Sequence, residues 1–334
     1  MKFWGMMANM KQFKLEIFLL LLILLTAAPV AGGADFTTRN RQVYEVRQQV
    51  RLTKVGGSVE NLKLEVPVFL RDNLPPYQRL IAFSANMSSL KIIPSETEPL
   101  AVYCLSRWQG QRELLLEFNY TIENKAIDYR LPKYAGGNEV DRRYLLPEPE
   151  IESAAKPIVD LATELSAKEP YPLDKAVKLF DYVNAKIQYQ FNDATAHSAL
   201  RTLRRGTGDC EDFSLLYIAL CRAAGLPARF VNGFRFDPTT LKIKDSSDLN
   251  QCGHAWVEIN LPGIGWIPVE PTYIYSVNGV RQVNYDFFGK LRDDDRHLLF
   301  NYSHDGSARC SWSRYQQVRV QVKMDNRMTI RRIK

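Results

Sequence analysis

The chain has 334 residues and a formal net charge of +7, with 46% hydrophobic and 24% charged residues. That length suits about two domains with ordinary hydrophobic cores. The basic excess is mild and spread along the chain, without a nucleic-acid-binding signature, and five cysteines lacking paired CxxC spacing argue against a structural zinc site.

Residues 1–34 read as a signal peptide. Lys2, Lys11 and Lys14 form a basic n-region ahead of an apolar run, Leu15 to Ala28, broken only by Glu16 and Thr26. Small residues follow at Ala31-Gly32-Gly33-Ala34, where a signal peptidase could cut. Ile17 to Leu25 is short of the roughly 20 residues that span a bilayer, so an uncleaved anchor is the lesser reading. Without the three lysines and one glutamate of this leader, the charge falls from +7 to +5. All five cysteines (Cys104, Cys210, Cys221, Cys252, Cys310) lie in the part expected to be exported. Their odd number leaves at least one thiol unpaired within the chain.

Residues 35–132 read as a β-sandwich domain. Tyr44, Val46, Gln48 and Val50 alternate with Val43, Glu45, Arg47 and Gln49, and Gly56-Gly57 makes a turn. Leu62, Leu64 and Val66 alternate again until Pro67, and Ala101 to Leu105 and Glu113 to Ile122 add two more strands. Residues 133–150, with Gly136-Gly137-Asn138 and Pro147-Glu148-Pro149-Glu150, lack either period and read as a linker.

Residues 151–334 read as an α+β domain with a C-terminal strand extension. Ile158, Leu161, Ala162 and Leu165 recur at helical spacing, as do Ala176, Val177, Leu179, Phe180 and Val183. A short helix is expected over Ser198 to Arg205. The clearest helix follows Cys210, with Phe213, Leu216, Tyr217 and Leu220 on one stripe and Gly225-Leu226-Pro227 as its stop. Strands over Arg229–Phe236, His254–Asn260 and Gly265–Val269 complete an antiparallel sheet behind the helices.

Chemistry concentrates where Gly206-Thr207-Gly208-Asp209 delivers Cys210 to a helix N-terminus. The positive end of the helix favours thiolate over thiol, and free N–H groups there can hold an oxyanion. Gly206 and Gly208 would leave room for a substrate carbonyl. A lone cysteine is more often a small buried residue. The balance changes with His254 and Glu270 on consecutive strands. A hairpin centred on Pro262 would set the two directly opposite, close enough for the carboxylate to orient the imidazole beside the thiol. Trp256 and Trp266 share their face, either as site residues or as core. Asp209 and Asp212 read as helix-terminal carboxylates without a catalytic part.

These blocks resemble the transglutaminase-like superfamily, relatives of papain-like cysteine proteases, and more loosely its exported bacterial members. The resemblance rests on Gly208-Asp209-Cys210-Glu211-Asp212-Phe213, on Gly225-Leu226-Pro227-Ala228-Arg229, and on Gly253-His254-Ala255-Trp256-Val257-Glu258 with Gly265-Trp266-Ile267-Pro268-Val269-Glu270-Pro271-Thr272. It implies Cys210 as nucleophile, His254 as general base and Glu270 as the acidic third member, where aspartate is usual. It also suggests an upstream oxyanion donor, for which Tyr189 is the candidate, with Gly208 and Trp256 beside the substrate. No metal or cofactor is implied.

The expected function is therefore exported, cysteine-dependent acyl transfer that cleaves or transfers peptide or isopeptide amides through a thioester. The expected partner is a protein or peptide substrate, including cell-wall peptide, outside the cytoplasm. Two readings compete: a catalytically silent domain binding peptide or glycan, and a cross-linking transglutaminase. Asp293-Asp294-Asp295 lacks the spacing of a calcium loop. The basic residues Arg327, Arg331, Arg332 and Lys334 could touch an anionic envelope.

Overall fold

Alternation after residue 35 becomes six strands: β1 (Phe36–Gly56), β2 (Val59–Pro67), β3 (Gln78–Ala85), β4 (Lys91–Ile93), β5 (Leu100–Trp108) and β6 (Glu113–Tyr129). The computed structural model describes residues 35–132, 141–191, 196–237, 247–278, 280–292, 296–304, 307–314 and 319–333. The expected leader, Gly136-Gly137-Asn138, Asp293-Asp294-Asp295 and Lys334 lie outside them. Tyr44, Val46, Val50 and Leu52 of β1 are buried against Leu62, Leu64 and Val66 of β2 and Leu116, Phe118 and Tyr120 of β6. One face of each strand thus fills a shared core, as the period of two dictates. The sequence pattern does not predict β3 and β4. Both are largely exposed, so neither carries a clean alternation.

Among the described residues, four α-helices follow. α1 (Lys156–Ser166) and α2 (Pro172–Lys186) begin with proline in their first turn, where a missing N–H costs nothing. After the two-residue strand β7 (Gln188–Tyr189), Ser198 caps α3 (Ala199–Arg205) by accepting from the Arg201 N–H at 3.2 Å. β8 (Thr207–Gly208) then leads into α4 (Cys210–Ala223). Every residue of α4 from Asp212 to Arg222 is buried, because α1, α2 and α3 cover it on one side and a sheet on the other.

That sheet has the order β12-β11-β9-β16, from β9 (Ala228–Phe236), β11 (Gly253–Leu261), β12 (Gly265–Val269) and β16 (Arg296–Asn301). Shorter strands lie between them: β10 (Ser247–Asp248), the hairpin β13 (Tyr275–Val277) with β14 (Val280–Gln282), and β15 (Lys290–Leu291). The last two strands return to the sandwich. β17 (Arg309–Arg314) pairs with β2, and β18 (Val320–Arg332) runs along β1 from Tyr44↔Arg332 to Gly56↔Val320.

The segment after residue 141 is anchored on the helices. The buried Arg222 guanidinium donates to the Leu146 carbonyl and to Glu148 at 2.6 Å each.

Candidate active site

Cys210 is the first residue of α4, and local hydrogen bonds fix it there. The Asp209 carboxylate accepts from the N–H of Glu211 (3.1 Å) and of Asp212 (3.4 Å), while the Asp212 carboxylate accepts from the Asp209 N–H (3.2 Å). This is a reciprocal capping box built with a second aspartate. Asp212 also accepts from the Thr202 hydroxyl and meets His197 Nδ1 at 3.1 Å. Burial raises the Asp209 pKa, and the neighbouring Asp212 carboxylate adds to it.

The two glycines do something other than open space for substrate. Gly206 adopts φ 68° as the left-handed cap of α3, a conformation glycine tolerates best. Gly208 is buried, and a Cβ there would fall 2.3 Å from the Asp212 Cβ. Gly208 is therefore required by the capping box in its own right.

His254 enters from β11. The hairpin expected to turn about Pro262 turns about Gly263, with pairs from Val257↔Val269 to Leu261↔Gly265. Ile264 N–H bonds the Leu261 carbonyl at 3.0 Å, with Pro262 second and Gly263 (φ 73°) third, the residues a type II turn favours. Gly265, also at positive φ, opens the return strand as the partner of Leu261. The register moves by two places rather than one, so face parity survives. His254 and Glu270 are then diagonal neighbours beyond the last pair of the ladder, not directly opposed. They still meet, with His254 Nε2 2.5 Å from Glu270 Oε2.

Glu270 is fully buried, and its other oxygen accepts from the Thr272 N–H at 2.8 Å. The Cys210 side chain adjoins the His254 ring and also raises its pKa. With Nε2 taken by Glu270, Nδ1 is the nitrogen left to exchange a proton with the thiol. Burial opposes charge on both members of the pair. Their mutual attraction overrides it, holding His254 above the ordinary imidazole range and Glu270 below the carboxylate range.

The flanking residues divide. Trp256 has no exposed surface, and its ring stacks 6.2 Å behind that of His254. It backs the imidazole and does not face a substrate. Gly233 makes that possible, because a Cβ there would strike the indole at 2.7 Å. Trp266 packs beneath the Arg229 guanidinium at 4.1 Å, outside the site. Tyr189 is 52% exposed and lies on β7, which pairs with β8 through Tyr189↔Gly208. Burial raises its phenol pKa, with Cys210 the next contributor.

His297 is absent from the sequence reading. It lies buried on β16, with Nε2 3.4 Å from Glu270 Oε2 and its ring 5.5 Å from that of His254. No motif marks it, because the contact arises from strand order. Two groups of donors, His254–Glu270–His297 and His197–Asp209–Asp212, gather within 4.8 Å of one another and could hold a metal ion. In both, the same atoms already bond one another. Cys252 lies apart from Cys210, packed against the sandwich core with its thiol 3.8 Å from the Asp248 carbonyl.

Comparisons with known proteins bear on the family and the fold. Residues 159–271 match the family model of the transglutaminase-like superfamily. An uncharacterized protein of Bacillus subtilis strain 168, YebA, is 36% identical over 73 residues, which cover 20% of this chain and only 9% of that one. The crystal structure of a proposed cysteine protease from Cytophaga hutchinsonii superposes with a TM-score of 0.53 at 15% identity, covering 89% of this chain and all of the other. At that identity the likeness is one of fold. The periplasmic domain of TgpA from Pseudomonas aeruginosa gives 0.34 at 16% identity, over 70% of this chain and 90% of that domain.

Proposed function

Since residues 159–271 make this chain a member of the transglutaminase-like superfamily, we propose that it is a cysteine-dependent hydrolase of peptide amide bonds that acts outside the cytoplasm. The observation that carries this reading is the position of His254, bonded to buried Glu270 and influenced by the Cys210 side chain, which raises the imidazole pKa. The compartment rests on the leader composition of residues 1–34.

In the proposed reaction the Cys210 proton rests on His254, whose raised pKa keeps it there, and the Sγ thiolate attacks the carbonyl carbon of the amide. Asp209 occupies the N–H groups of Glu211 and Asp212, which makes the Cys210 N–H at the helix tip the candidate oxyanion donor. As the C–N bond breaks, His254 returns its proton to the leaving nitrogen. Water, deprotonated by His254, then adds to the thioester carbonyl, releasing the acid and restoring the thiol. Glu270 stays ionised and holds the imidazole in orientation throughout.

The test is alkylation of Cys210 by iodoacetamide between pH 5 and 9, read by intact mass on the wild type, Cys210→Ala and His254→Ala. An activated pair labels fast at Cys210 and slows in His254→Ala. Labelling of the wild type at the rate of an ordinary exposed thiol, unchanged in His254→Ala, would overturn the reading.

A further inference from the structure

We propose that Tyr273 is a positioning residue of the reaction, its ring stacked on His254 to fix the plane of the imidazole and favour its charged form; this rests on the hydrolase reading given above. Tyr273 follows Glu270 by three residues, and that short segment serves one imidazole in three ways. The Glu270 carboxylate meets His254 Nε2. The Thr272 N–H donates to the other Glu270 oxygen at 2.8 Å. The Tyr273 ring lies 6.0 Å from the His254 ring and within 12° of parallel.

The other rings beside the imidazole match its plane less well. Trp256 stands at 6.2 Å and 24°, and His297 at 5.5 Å and 58°. Trp256 is fully buried and Tyr273 half-buried, so Tyr273 is the one that reaches the surface. Offset parallel rings at this distance attract. A ring face also stabilises an adjoining cation over its neutral form, most where water is excluded. The Arg235 guanidinium lies over the same ring at 4.5 Å. Arg235 is exposed and His254 nearly buried, so the effect falls chiefly on the imidazole.

Tyr273 is itself held in place. The buried Asn184 amide on α2 donates to the carbonyls of Pro271 (3.0 Å) and Tyr273 (2.8 Å), and its oxygen accepts from the Asn284 N–H (3.2 Å). Phe287 packs against the ring at 4.4 Å. The Tyr273 hydroxyl, by contrast, is buried with no hydrogen-bond partner among the described residues. A buried hydroxyl without a partner costs stability, so ring and main chain, not the oxygen, hold the residue here. The ionisable groups acting on His254 are Cys210 at the start of α4 and Glu270 beyond β12. His297 of β16 adjoins it, and Arg235 of β9 and Tyr189 of β7 are the more exposed neighbours. All of them stay when position 273 is changed.

The test reads His254 directly, by NMR titration of the ring nitrogens in histidine-labelled protein, whose four histidines are assigned by single substitution. In Tyr273→Leu the His254 equilibrium is expected to move about three- to tenfold toward the neutral form. Alkylation of Cys210 by iodoacetamide at neutral pH should slow with it. In Tyr273→Phe both should stay as in the wild type. Should the leucine variant fail to fold, phenylalanine and a ring-difluorinated phenylalanine at position 273 make the comparison at nearly equal volume. Fluorine drains the ring face, so the difluorinated ring should move the titration in the direction expected for leucine. An unmoved titration in Tyr273→Leu or with the difluorinated ring, or a leucine-like shift in Tyr273→Phe, would overturn the positioning role alone. A wild-type His254 that titrates in the ordinary imidazole range, with Cys210 alkylation indifferent to His254→Ala, would remove the hydrolase reading and the role with it.

Discussion

At the scale of the residue, Glu270 and His254 bind each other's ionisation. The imidazole's raised value and the carboxylate's lowered one fix how stability follows pH. Glu270 contributes fully above the ordinary carboxylate value of about 4.3, and this is lost as pH falls through its lower folded value. His254 contributes fully below about 6.5, and this is lost as pH rises through its higher folded value. The margin of wild type over Glu270→Gln should thus be greatest between about pH 4.3 and 6.5, as chemical denaturation across pH would show. The same variant should lose amide hydrolysis by up to about 10⁴-fold. Whatever rate remains should fall off near pH 6.5 instead of persisting into the alkaline range. His297→Leu should move that alkaline limb in the same direction by a smaller amount, which loss of packing alone would not do. The three residues expected to react were legible because each sits in a local motif with a chemical reason for its type. His297 was not, since its 3.4 Å approach to Glu270 depends on β16 lying beside β9.

At the scale of the element, the start of α4 is a small machine of turns. Replacing Asp209 with alanine removes the cap of two N–H groups and should cost about 1 kcal/mol, seen as a lowered midpoint in urea. Gly208→Ala should be worse than Asp209→Ala. Its Cβ forces Asp212 aside, breaking the bonds to Thr202 and to the Asp209 N–H together. Cys210 alkylation in the folded variant should slow in parallel. Helices α1 to α4 were readable because each joins a 3.6-residue apolar period to a stop or start residue such as Pro157, Ser198 or Gly225. The hairpin register was misjudged by two places because the turn centres on Gly263, which alternation alone does not distinguish from Pro262. Exposed strands such as β3 escaped for want of a buried face. The packing demand on Gly208 was hidden for a different reason: the missing Cβ faces Asp212, a neighbour only the folded chain reveals.

At the scale of the whole molecule, the sandwich is not made by residues 35–132 alone. Residues 309–314 and 320–332 supply a strand to each of its sheets. Val320, Met328 and Ile330 are buried in its core. Truncation after Arg314 should therefore bare the length of β1 as an unpaired edge. The product is expected to be aggregated or without a cooperative unfolding transition, as size-exclusion chromatography and thermal melting would report. The sequence pattern placed strands in both regions but not their pairing, because alternation tells which face is buried and not which neighbour lies alongside. That closure sets an order of events in time. Glu45 and Arg331, bonded across the β1–β18 ladder, stand 286 positions apart. A contact so distant along the chain forms late, and its loop-closure entropy must be met before the pairing rewards it. During synthesis β1 can pair with β6 early, but its other edge waits for nearly the entire chain before β18 covers it. Until then that edge stays open to pairing with a second chain.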